Sequence, residues 1–103
     1  MTIQMSASPS KEEFAAHINR SFHATNPEGQ EFEVTLVEFR DEFDSDTQET
    51  FSLTFKAPAD APAEQSTYTL TSEGVGEQLI FLVPIGKDAD ALYYEAVYNR
   101  FKQ

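Results

Sequence analysis

His17 and His23 are the residues of this chain whose type suits moving protons near neutral pH. A hydrolytic triad needs a nucleophile and an orienting acid to converge on one of them. The sequence has neither a Gly-x-Ser-x-Gly elbow nor a cysteine. Six residues apart, one on a helix and one on a strand, the pair could reach a common metal with Glu28 or Glu31; separate surface or half-buried histidines are the simpler reading. The carboxylates gather once, in Asp41-Glu-Phe-Asp-Ser-Asp-Thr-Gln-Glu49. Calcium takes about six to eight hard oxygens, and Glu42, Asp44, Asp46 and Glu49 could supply several. The stretch lacks the central glycine and distal glutamate of an EF-hand, so it is read as a solvated connection between strands. Gly74-Val-Gly76 has Leu79 where a dinucleotide fingerprint needs a third glycine. Asn19-Arg-Ser21 is formally a glycosylation sequon and matters only in a secretory setting. No catalytic residue, cofactor or metal ligand is assigned.

The totals narrow the classes further. A chain of 103 residues can bury about 60–70% of its unfolded surface. Nine Phe and four Tyr supply a core, which argues against disorder. A net charge of −11 with only seven Lys and Arg disfavours phosphate backbones and anionic lipid, and it favours solubility and, weakly, a basic partner or cations. Without cysteine there is no disulfide framework or zinc-thiolate site. The first residues lack the basic and apolar regions of a signal peptide, and no apolar run approaches a bilayer span, so the expected location is cytoplasmic, with export by another signal left open.

The elements follow from periodicity. Residues 1–9 read as a loose leader and 10–103 as one β-rich domain. Ser10-Lys-Glu-Glu13 matches a capping box and predicts a helix over about residues 10–20, with Phe14 and Ile18 on one face. That helix would plug an open end of the sheet or cover one of its faces. Ser21–Thr25 is a short strand, and Asn26-Pro-Glu-Gly29 fits a type I turn. Phe32, Val34 and Leu36 then alternate inward until the phase slips at Leu36-Val37, as at a β-bulge. Phe51, Leu53 and Phe55 alternate again, a Pro/Ala loop interrupts over 57–65, and Tyr68 and Leu70 resume.

The chain centres on a last hairpin. Leu79 to Ile85 carries no charge and reads as a strand covered on both faces, and Leu92 to Phe101 is its antiparallel partner. On the second strand Leu92, Tyr94 and Tyr98 share one face, and Tyr93, Val97 and Phe101 share the other. Either both faces are covered, the second by Phe14 and Ile18, or the second is an interface of aromatics with Arg100 nearby. Ile80, Leu82, Tyr93, Val97 and Arg100 are the candidate interface residues. The count is mainly β, α+β at the margin: about six antiparallel strands in a small barrel or compact sandwich with one N-terminal helix.

Phe51-Ser-Leu-Thr-Phe55, Pro58, Thr67-Tyr-Thr-Leu70, Phe81-Leu-Val-Pro-Ile-Gly86 and Tyr94-Glu-Ala-Val97, in that order, resemble an uncharacterised bacterial family known only as a domain of unknown function. The resemblance covers most of the chain, and Phe81–Gly86 is its most specific part. It implies no activity and no catalytic residue. Members are encoded near phage-tail-collar-like proteins, which implies a tail-like or fibre-like assembly. The acidic stretch at 41–49 lies outside that pattern.

The expectation is therefore a non-enzymatic structural or accessory protein acting by protein–protein contact or self-association. An unpaired strand edge is the first candidate contact. The alternative is a small-ligand binder in the mouth of a barrel.

Overall fold

The computed structural model describes residues 10–72 and 76–101. A short helix α1 (Lys11–Ala15) precedes six strands: β1 (Ser21–Thr25), β2 (Glu31–Asp44), β3 (Gln48–Pro58), β4 (Ser66–Ser72), β5 (Gly76–Lys87) and β6 (Ala91–Phe101). All pairings are antiparallel, and the strands close in the order β1-β2-β3-β6-β5-β4, with β4 returning to β1. The mainly β expectation holds, and of its two architectures the barrel is the one formed. The leader at 1–9 and most of the turn at 74–76 lie outside the described residues.

Alternation builds the interior. Phe22 and Ala24, Val34 and Leu36, Phe51, Leu53 and Phe55, Tyr68 and Leu70 all point inward and are almost fully buried. Each strand thus sends every second side chain into one shared core, as a pleated strand must when one face is covered. Two bulges on β2, between Leu36 and Glu38 and between Asp41 and Phe43, shift its register against β3. The first sits at the expected phase slip and lets β2 bend around the ring.

The turn from β1 to β2 is built as its sequence requires. The Gly29 amide donates to the Asn26 carbonyl at 3.0 Å, and the Gln30 amide donates to Asn26 Oδ1 at 2.7 Å. Gly29 has φ +88°, a conformation glycine takes without the steric cost of a Cβ.

The helix is shorter than its sequence suggests. The capping box forms, with Glu13 donating its amide to Ser10 Oγ at 3.1 Å and its carboxylate accepting from the Ser10 amide at 3.3 Å. One turn later the chain bends, and Asn19 takes a left-handed conformation with φ +71°. Its amide donates to the Leu36 carbonyl at 2.6 Å, and the Leu36 amide donates to Arg20. Tying residues 19–20 to β2 before β1 begins stops the helix. Phe14 is buried but Ile18 is exposed. Among the described residues no helix is long and apolar enough to cross a membrane.

The connection from β3 to β4 cannot be a hairpin, because those strands are not neighbours in the ring. It crosses one end of the barrel, and Ala61 in it is buried in the core.

Candidate functional site

The proton-active residues do not converge. His17 donates from Nδ1 to the Glu13 carbonyl at 2.7 Å, inside its own helical segment. His23 sits on β1 with Nε2 2.6 Å from Glu31 Oε1 on neighbouring β2, and both are exposed. Among the described residues no three His, Asp or Glu side chains lie close enough to hold a metal.

The acidic stretch is not a loop, contrary to the sequence expectation. β2 runs through Asp44 and β3 starts at Gln48, leaving a tight turn in which the Ser45 amide donates to Gln48 at 2.8 Å. Strand pairing with Glu49–Phe51 overrides the polar composition. Asp41 and Asp44 clasp the Lys11 ammonium, Asp41 at 3.0 Å. The hydrogen bond it donates to Asp44, then that to Asp41, holds the lysine above its ordinary pKa against the opposing effect of burial. These carboxylates therefore dock the first turn of α1 onto β2.

Aromatic side chains close both ends of the barrel. At one end Tyr68 and Tyr94 lie 5.5 Å apart, with the Phe32 ring edge-on to Tyr68 at 5.8 Å. The Tyr68 hydroxyl donates to the Glu64 carbonyl at 2.7 Å, and that of Tyr94 donates to Pro62. Two buried phenols thus hold the crossing loop in place, and burial raises the pKa of both. At the other end Phe14 packs on Tyr98 and Phe51, with centroids 5.3 and 5.9 Å away. The helix plugs this end and does not cover the outside of the sheet. Tyr68, Tyr94, Phe51 and Phe55 are buried inside the ring, and an open depression of about 310 Å³ lies on the outside, lined by Glu33, Thr35, Lys56, Ala57, Pro58 and Asp90.

The candidate interface residues divide. Ile80 and Leu82 point into the core and are almost fully buried, so neither contributes to the exposed surface. Arg100 is half-buried, its guanidinium 4.8 Å from the Tyr98 ring centroid and 5.3 Å from that of Phe51. Tyr93 is half-buried on the outer face, and Val97 beside it is 62% exposed.

The expectation that both faces of the last hairpin are covered is overturned. Leu79 is 68% exposed and Phe81 53%, and Ile85 and Phe101 are exposed as well. An unbroken apolar run hides which parity faces inward, so Leu79, Phe81 and Ile85 were not legible as surface residues. A signal was available: charged Glu77 shares its parity with Leu79, Phe81 and Ile85, and marks that parity as the outward one.

Backbone pairing changes at the same place. β5 and β6 pair only from Val83–Glu95 to Lys87–Leu92. Continued in register, the ladder would join Leu82 to Ala96, Phe81 to Val97, Ile80 to Tyr98 and Leu79 to Asn99. Among the described residues none of these pairs forms. Leu79–Leu82 follow β4 and Ala96–Asn99 follow β3, so the two strands part along a seam. Five of the eight large apolar side chains exposed among the described residues (Leu79, Phe81, Ile85, Val97 and Phe101) lie on β5 and β6, and Leu79, Phe81 and Val97 among them line the seam.

No curated protein and no solved structure matches the chain. A family model matches residues 9–98, nearly the whole chain, and by that match the protein belongs to the family described as Domain of unknown function (DUF6916).

Proposed function

We propose that the protein is a non-enzymatic structural or accessory protein that works by protein–protein contact through the outer face of β5 and β6. The observation that carries this is the cluster of Leu79, Phe81, Ile85, Val97 and Phe101 on one face of an otherwise acidic protein. Apolar side chains scattered singly on a surface need no explanation, but a concentration of five on two neighbouring strands costs solubility and is favoured where a partner covers it. The large aromatic side chains buried inside the ring support contact over the alternative of a ligand held inside the barrel. The family resemblance suggests the setting, a tail-like or fibre-like bacterial assembly, and the cytoplasm is the proposed place of synthesis and action.

The test is photo-crosslinking in the native host, with the crosslinker placed at Phe81, at Val97, or at Glu33 on the far side of the ring. A single protein captured from Phe81 and Val97 but not from Glu33 supports the reading. Equal background from all three positions overturns it.

A further inference from the structure

We propose that the seam between β5 and β6 accepts a short extended segment of a partner protein as an added strand, one with alternating large apolar and small residues and with basic flanks. This rests on the reading that β5 and β6 form the contact face, and it names the mode of contact and the chemistry of the partner.

The mode follows from the interrupted ladder. Four successive pairs, from Leu82–Ala96 to Leu79–Asn99, are missing between strands that are paired correctly just beyond, at Val83–Glu95. Strand edges of this kind are templates for another chain, because main-chain hydrogen bonds supply affinity without a preformed pocket. Pro84, beside the last of the formed pairs, has no amide hydrogen to donate.

The side chains of an added strand must obey the same alternation as their neighbours. Those pointing outward would lie between Phe81 and Val97, where large apolar groups extend an existing apolar surface. Those pointing inward meet Ile80, Leu82 and Ala96, which are already buried among large core side chains, so Gly, Ala or Ser fits best.

Charge selects the flanks and argues against a second copy as the occupant. Glu77 and Glu95 border the seam on its outer face, and the nearest lysines, Lys56 and Lys87, lie towards its laddered end, paired with Tyr93 and Leu92. A copy of this chain would bring a further net charge of −11, whereas a segment with Lys or Arg at its ends meets carboxylates.

The experiment is selection of random displayed peptides of about a dozen residues on the purified protein, with counter-selection on the Phe81→Lys, Val97→Lys double variant. Both substitutions lie on the surface, so the variant keeps its fold. Enriched sequences should alternate large apolar with Gly, Ala or Ser and carry basic ends. The best of them should slow amide exchange at Leu79–Leu82 and Ala96–Asn99, and a central proline should weaken it about tenfold or more. Peptides with helical spacing, indifferent to proline but lost in the double variant, overturn strand addition and leave the contact face standing. No enrichment, or peptides bound equally by the variant, overturns the inference. Self-association by light scattering with the same amides protected overturns it in favour of a second copy.

Discussion

The Tyr98 ring stacks on Phe51, with centroids 5.0 Å apart and planes within 18°, and this pair receives Phe14 from the helix on one side and Arg100 over both rings. Residues from α1, β3 and β6 thereby meet at one end of the barrel. That makes Phe51 the side chain through which the helix, the sheet and the surface cation depend on one another.

Phe51→Ala should therefore lower stability by about 3–5 kcal/mol, the range for removing a buried aromatic ring. Phe101→Ser, at a side chain that is 83% exposed, should stay within about 0.5 kcal/mol of the parent. Urea unfolding of the two variants checks both values, and a neutral Phe51→Ala would show that the aromatic cluster does not hold this end closed.

The other end depends on two phenols. Tyr94→Phe removes the donor to Pro62 and should cost about 1–1.5 kcal/mol, with faster proteolysis in the loop at 59–65. Tyr68 and Tyr94 have folded-state pKa values above their ordinary value of 10.0. The unfolded chain therefore loses these protons first, and stability present below pH 10 falls as the pH rises beyond it. Melting temperature measured across this range should drop with tyrosinate formation, and the drop should shrink in Tyr68→Phe, Tyr94→Phe.

Docking of α1 depends on its cap and on one lysine. Ser10→Ala should cost about 1 kcal/mol by breaking the capping box. Lys11→Met should leave Asp41 and Asp44 facing each other without their shared cation, lowering the melting temperature and speeding amide exchange at Phe14. Unchanged exchange at Phe14 would mean that the ring alone seats the helix.

Gly29→Ala should destabilise by about 1–2 kcal/mol, since an L-residue is strained at φ +88°. Nothing lies within 4 Å of the added Cβ, so the loss comes from backbone conformation alone, and Gly29→Asn should recover part of it. Thermal melts of the two variants test the order.

Where the chain's instructions are local, they could be read directly. Ser10 and Glu13 specify a cap, Asn26-Pro-Glu-Gly29 specifies a turn, and alternation from Phe32, Phe51 and Tyr68 specifies inward faces, because each depends on residues a few positions apart. The slip at Val37 belongs to the same class, and it is a bulge in the structure.

Tertiary structure decided what depends on distant partners. Asp41–Asp44 joins β2 because Glu49–Phe51 is there to pair with it, and composition alone made it a loop. The helix ends after one turn because Leu36 ties residues 19 and 20 to β2. Leu79 and Phe81 face outward because Ile80 and Leu82 take the core, a choice an all-apolar run leaves open. The seam exists because β5 follows β4 while β6 follows β3. Sequence sets which side chains can be buried; closure of the ring determines which are, since each strand must satisfy two neighbours at once.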